Sequence, residues 1–486
     1  MRTKRFLKAL SLVLVLAMAV ASFAACGEDE KPADNQTQQQ TNTNTNTNTN
    51  TTTPDKKDET PVVVDPYAAI KAKFPKKDMG GIEVKILDWW TKDYTRGTDT
   101  EYGEARAEYL AWAEDYYNFK IVEESYGDWG SRPEDFQNYA TAEDDGNYYI
   151  WILYQTPASV TAINQGLVKD MSKLGVDLTT DKWDKYFASC FGGPNGEVYA
   201  FRAATSEPRG GVYFNKRLLK EAGIDPESIY ELQKNNEWTW AKFEEMCKQI
   251  CKDTDNDGVY DIWAICCDST QLYQDFLWSN NTNFIDRVDG KFVYTLEDAA
   301  SIEALDFAQH LSDEYRYYPE GSEWNYWQTA YPNAQGVFIF QDAYCAGQDF
   351  KDMEDDFGFV CMPMGPNATT YAAVNNDNLY VIPANYSDEK AALIAMAYDL
   401  YTEPVPGFED HDGSLDGYYS QFRDSKSVDE TIVLIKEHQV MNWTNFIADV
   451  ELGSDYVWGL GSWTTAAAHA EEIRDKWKAA IEAANK

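Results

Sequence analysis

Beyond residue 80 the chain changes between a two-residue and a helical rhythm of apolar positions. Residues 81–87, GIEVKIL, alternate as a half-buried strand does and end at Asp88, Trp89 and Trp90. Residues 104–117 repeat with helical spacing, 119–122 read as a second strand, and 148–153, YYIWIL, are apolar almost throughout. Such a run belongs to a strand covered on both faces. Strands alternating with helices predict an α/β fold with a parallel sheet, in which ligands sit beyond the carboxyl ends of the strands. Asp88-Trp89-Trp90 and Tyr154-Gln155-Thr156 lie at those ends.

The stretch 211–265 holds a strand, two helices and an oxygen-rich loop in succession. Gly223 closes the first helix and Pro226 forbids its continuation. Thr239 can cap the next helix, where Trp240, Phe243, Met246, Cys247, Ile250 and Cys251 form one apolar stripe, the mark of a core-facing surface. In the loop, Asp253, Asp255, Asp257 and Asp261 alternate with other residues and Gly258 stands sixth. That spacing points successive oxygens, with the Val259 carbonyl, at one hard cation. Ala264 occupies the twelfth position, where an EF-hand supplies a bidentate Glu. The loop thus predicts a structural calcium ion with an incomplete ligand set, the alternative being a solvated acidic turn.

The N-terminus has the layout of an exported protein. Arg2, Lys4, Arg5 and Lys8 precede an apolar run over 9–25, slightly short for a spanning helix. Phe23-Ala24-Ala25-Cys26-Gly27 resembles a bacterial lipobox, with Phe23 where Leu is usual. The resemblance implies a signal peptide over 1–25 and lipid on Cys26; the alternative is plain cleavage and free secretion. Residues 26–66 carry a polar run and then alternating Thr and Asn over 41–53, with almost nothing to bury. They read as a disordered tether between membrane and folded part.

A formal net charge of −39, more negative still without the leader, argues against nucleic acid and anionic lipid as partners. Roughly 420 residues follow the tether, more than one core accommodates, so two lobes are expected. The 16 Trp and 32 Tyr offer apolar faces with polar edges, suited to a wet groove that holds a sugar ring. Eight Cys show no Cys-x-x-Cys pair, and Cys247/Cys251 and Cys266/Cys267 define no framework, so mostly buried thiols and at most one or two bridges are expected. His at 310, 411, 438 and 469 alone makes a zinc cluster implausible.

In the stretch 211–265, Tyr213, Asn215, Lys216, Ala222, Gly223, Ile224, Thr239 and Trp240 resemble the central segment of extracellular solute-binding proteins, the receptors of ABC importers. Gly358 to Pro366 resembles that family's hydrophobe-Pro-x-Gly-Pro element, and the ordered set of weak motifs spans about 80–400. The resemblance implies a two-lobed periplasmic-binding-protein-like fold of type II joined by about three crossings. These fall after 201, at 338–344 and at 371–378. They place an N-terminal lobe at 79–201 plus 342–374 and a C-terminal lobe at 202–341 plus 375–486. It also implies a monomer on the extracellular face of the cytoplasmic membrane, held there by the N-terminal lipid alone. Such a receptor passes a sugar or oligosaccharide to permease subunits and is not an enzyme. For the interlobe cleft the expected residues are Trp89, Trp90, Tyr154, Gln155, Trp278, Asp342, Tyr344, Asn376 and Asp377. Trp278 enters because it lies between the acidic loop and the Asp289-Gly290-Lys291 turn, where many sugar-binding relatives carry a stacking aromatic. Beyond 400 the sequence is helical, with Trp443, Trp458 and Trp463, and its loops are not placed.

Two other classes share these features. With 81 carboxylates, paired acids for glycoside hydrolysis are available anywhere, so a secreted glycan hydrolase is the first alternative. A non-transport glycan-binding adhesin is the second, since tether and anchor serve it equally. No Gly-x-Ser-x-Gly elbow, His-Glu-x-x-His helix or Gly-rich phosphate loop is present.

Overall fold

The computed structural model describes residues 65–204, 206–207, 209–460 and 465–486. The leader, Cys26, nearly all of the tether and Trp463 lie outside the described residues. The strands, in chain order, are β1 (Ile82–Asp88), β2 (Phe119–Ser125), β3 (Tyr148–Leu153), β4 (Gly211–Asn215), β5 (Ile285–Val288), β6 (Lys291–Tyr294), β7 (Phe338–Gln341), β8 (Phe357–Val360), β9 (Ala373–Asn375), β10 (Leu379–Val381) and β11 (Gln439–Met441).

The first sheet has the order β10-β3-β1-β2, with β1, β2 and β3 parallel and β10 antiparallel at the edge. Parallel neighbours need a crossover, which the helices Glu101–Tyr117 and Arg132–Thr141 provide. The Thr100 hydroxyl caps the first by accepting from the Gly103 N–H, and Asn118 ends it at φ 55°, a left-handed stop. Val84, Ile86, Ile121, Ile150 and Ile152 pack in one core with helix Glu101–Tyr117 and with Ile394 and Leu400 of helix Asp388–Tyr401. Leu87, Trp151 and Leu153 join Phe136, Ala140 and Val160 in the other core, so the sheet is covered on both faces.

The second sheet is β7-β4-β8, in which β7 and β8 both run antiparallel to β4. Phe243 and Phe276, on helices Trp240–Ile250 and Ser269–Ser279, set their rings 5.1 and 5.2 Å from those of Phe338 and Phe340. A Cβ on Gly211 would collide with the Phe359 ring, so the close approach of β4 and β8 needs glycine there.

This pairing corrects the expected division of the chain. β8 lies within 342–374 yet completes the second sheet, and β10 lies within 375–486 yet closes the edge of the first. Helix Asp388–Tyr401 packs on β2 and β3, not on the second sheet. The chain therefore passes between sheets at 201–211 and 375–379 and again after Tyr401, while Gln341 to Tyr344 is a turn within the second lobe. The first two passages run side by side, with antiparallel bridges at Phe201–Tyr380 and Arg209–Val374, and the parallel pair β9–β11 lies against them.

Candidate functional site

Each parallel strand of the first sheet delivers aromatics at its carboxyl end. Trp89 and Trp90 follow β1, edge to face with centroids 4.8 Å apart; Tyr126 and Trp129 follow β2; Tyr154 follows β3. Trp90 and Trp129 are 47% and 62% exposed, far more than single rings in a core. The Trp129 ring meets Tyr154 edge-on at 6.1 Å.

A buried arginine organises this rim. Arg132, at the start of its helix and fully shielded from solvent, donates from Nε to the Ile152 carbonyl at 2.9 Å. Its Nη1 and Nη2 donate to the carbonyls of Tyr126 and Leu87. One guanidinium thus ties the ends of β3, β2 and β1, and its fixed fork suits three acceptors better than a lysine would. It also lies 5.8 Å from the centre of the Trp89 ring, 5.9 Å from Tyr126 and 5.0 Å from Trp151. Burial pushes its pKa down to about 10, with Asp88 opposing. The buried Asp88 fixes the turn after β1, its carboxylate accepting from the N–H groups of Trp90 and Thr91 at 2.9 and 2.8 Å.

The paired passages bring charge opposite this rim. Arg202 binds Asp377 at 2.8 Å; Arg209 binds Glu207 at 2.8 Å and Asp342 at 3.2 Å, and lies 3.9 Å from Asp377. The Arg209 guanidinium also sits 5.0 Å above the Tyr344 ring. Tyr154 reaches across, its hydroxyl accepting from Asn376 Nδ2 at 2.8 Å, while Asn376 Oδ1 accepts from Asn445 at 2.9 Å. Burial raises the Tyr154 pKa, with Arg209 opposing and Asp342 reinforcing. Burial likewise raises that of Glu207, against the pull of Arg209.

The structure therefore brings Tyr154, Asn376, Asp377, Asp342 and Tyr344 together around Arg209, and places Trp89 and Trp90 on the rim. Gln155 is buried, its amide nitrogen on the Met441 sulfur at 2.9 Å. Trp278 is not with them. It is 3% exposed, packs edge-on against Phe284 and donates to Asn283 at 2.8 Å, as part of the second core. Trp129, Arg132, Arg209 and Asn445 complete the site without having been singled out in the sequence. The strand-end rule applied to β2 locates Trp129, once the strand is seen to run to Ser125 and not to Val122. Trp458 is also displayed, 66% exposed, its indole N–H on Thr270 at the start of helix Ser269–Ser279 at 3.3 Å.

The acidic loop lies apart from this site. Carboxylate oxygens of Asp253, Asp255 and Asp261 converge within 4.8 Å of one another. Asn256 at φ 64° and Gly258 at φ 93° make the turn, and their N–H groups donate to Asp253 at 2.7 and 2.9 Å. Asp257 does not join the cluster; its Oδ1 accepts from the Val259 N–H at 2.8 Å. Ala264 is buried in the core, so the twelfth position contributes no oxygen from its side chain. Three hard oxygen donors fit a calcium ion completed by water or carbonyls. The seven described cysteines are all buried and free.

Two α/β lobes, joined by paired passages and facing each other across aromatic strand ends and a charged hinge, define a periplasmic-type binding protein. Residues 107–402, more than half the chain, match the family described as bacterial extracellular solute-binding protein, and the chain belongs to that family. Among solved structures it resembles UgpB from Mycobacterium tuberculosis in complex with glycerophosphocholine, at TM-score 0.57 and 15% identity, over 78% of this chain and 95% of that one. It also resembles the cyclic alpha-maltosyl-1,6-maltose binding protein from Arthrobacter globiformis, at TM-score 0.57 and 16% identity, over 83% and 100%. Maltose-bound MalE3 of T. maritima gives TM-score 0.52 and 17% identity, over 82% and 99%. No curated protein matches the sequence. Among the described residues, no helix is long and apolar enough to cross a membrane.

Proposed function

We propose that this protein is the receptor of an ABC importer, lipid-anchored through Cys26 and tethered by 26–66, that captures a sugar or oligosaccharide between its lobes and hands it to the permease without chemical change. The observation that carries this reading is the aromatic rim at the ends of β1, β2 and β3, set against the hydroxyl of Tyr154 and the amides of Asn376 and Asn445. Flat rings supply contact area to a pyranose while the polar groups orient its hydroxyls. Two of the structural neighbours named above carry maltose-type sugars in their names, which supports the choice of ligand class. Solute touching both lobes favours their approach, so binding shifts an open–closed equilibrium. Maltose, mannotriose and larger glucans are the first probes for calorimetry and thermal shift. A sugar at a hundred times its Kd should add about 2.7 kcal/mol of stability, and chromatography of the recovered sugar should show it intact. Shortened products would replace this reading with the hydrolase.

The loop around Asp253, Asp255 and Asp261 is read as a structural calcium site remote from the sugar. Bound calcium would offset the repulsion among these carboxylates. Chelation should therefore lower the melting temperature, and Asp255→Ala should remove that sensitivity without altering sugar affinity. An unchanged melting curve on chelation would reduce the loop to an acidic turn.

A further inference from the structure

Both arginines of the hinge are bound to carboxylates. Arg202 is held by Asp377, and Arg209 by Glu207 and Asp342. Asp342 also accepts from the Gly210 N–H at 3.2 Å, and Glu207 from the Tyr418 hydroxyl at 3.3 Å. The nearby buried Asp275 accepts from Gln271 at 2.9 Å.

The unused polar capacity belongs mainly to amides. Asn375 is fully buried, and neither its Oδ1 nor its Nδ2 has a partner among the described residues. Gln155 is 1% exposed; its Oε1 is unpartnered, and its Nε2 is directed at Met441 Sδ, a weak acceptor. The two meet at the same place. Asn375 stands opposite Met441 in the parallel β9–β11 ladder, so both side chains share a face, and Gln155 touches Met441 from the end of β3. The Nε–H groups of Arg202 and Arg209 are unpartnered too, but they add donors to guanidiniums whose charge is already matched.

A buried amide without partners costs stability, and a native chain that keeps one calls for an explanation. An amide offers a donor and an acceptor side by side and no charge, which complements a hydroxyl. It would leave a carboxylate, ammonium or phosphate desolvated and uncompensated. We infer that Asn375 and Gln155, buried where the end of β3 meets the β9–β11 pair and next in sequence to Asn376 and Tyr154, form an uncharged subsite that opens with the lobes, takes a hydroxyl of a neutral saccharide and rejects uronates, amino sugars and phosphodiesters at that position. The inference rests on the carbohydrate reading above and names its ligand class.

Calorimetry on the mature chain, with maltose, mannotriose, digalacturonate and glycerophosphocholine as probes, tests it. The wild-type chain should bind a neutral probe most tightly. Asn375→Leu should weaken that binding about tenfold or more, as a site built around a hydroxyl does when its partner is lost. The same variant, without ligand, should melt at the wild-type temperature or above, because an orphaned amide has given way to an apolar group of similar size. A merely structural amide would lower the melting temperature and leave the affinity. Gln155→Leu is the second variant and should lose affinity in the same sense. Unchanged affinity in both variants overturns the subsite while sparing the carbohydrate reading. Tighter wild-type binding of digalacturonate or glycerophosphocholine than of either neutral sugar overturns the neutral class. Failure of the wild-type chain to bind any saccharide probe overturns the carbohydrate reading and the subsite with it.

Discussion

Replacing Arg132 by methionine is expected to lower the unfolding free energy by about 4 kcal/mol or more, since three hydrogen bonds from a charged donor contribute about 1.5–3 kcal/mol each. Methionine fills much of the space but donates nothing, leaving the strand-end carbonyls of Leu87, Tyr126 and Ile152 without this partner. Lysine keeps the charge but cannot reach three acceptors from one ammonium, so Arg132→Lys should fall between. Sugar affinity should fall in step, because the loops that start at those carbonyls carry Trp89, Trp90, Tyr126 and Trp129. Urea unfolding of the three proteins measures the first effect, and titration at a temperature where all are folded measures the second. Should Arg132→Met unfold within 1 kcal/mol of wild type, the guanidinium is not the clamp described here. If Arg132→Lys stays folded and keeps full affinity, the rim is positioned by something else.

The features legible in the sequence are those set by neighbours along the chain. The alternation of 81–87 and the apolar run 148–153 gave β1 and β3, and the cap at Thr239 and the stop at Gly223, φ 79°, stand where local chemistry requires them. Sheet membership is a long-range matter. Phe357–Val360 and Leu379–Val381 are short, apolar runs near prolines, and nothing within them says which sheet edge they will complete. The exchange of the two between lobes follows from that ambiguity. Trp278 and Trp129 show the same limit at single residues. Helix Ser269–Ser279 buries Leu272, Tyr273, Phe276, Leu277 and Trp278, and an apolar run this broad belongs to a buried helix. Trp129 stands among Gly127, Asp128 and Gly130 in a polar turn, the setting for an exposed ring. Arg132 gave no signal, because an arginine before Pro133 and Glu134 looks like an ordinary solvated helix start.

Asp377→Ala should destabilise the protein by about 3–5 kcal/mol, the usual cost of stripping one partner from a buried ion pair. The carboxylate is fully buried where the two passages run side by side. It binds Arg202 at 2.8 Å and accepts from the N–H groups of Glu207 and Asn378. Burial works against the Arg202 charge, but Asp377, with weaker help from Tyr380 and Glu207, overrides it and its pKa is raised. Alanine leaves that guanidinium in the hinge without its carboxylate. Removing both charges should cost less than removing either alone, since an apolar pair avoids desolvating two ions. The cycle of Asp377→Leu, Arg202→Met and the double variant should therefore show a coupling of about 1–3 kcal/mol. The same cycle read in sugar affinity reports on the hinge, because these residues hold the passages together and do not belong to the aromatic rim. Additive single-variant losses, with coupling below about 0.5 kcal/mol, would show that Arg202 and Asp377 are stabilised independently and that no ion pair locks the passages.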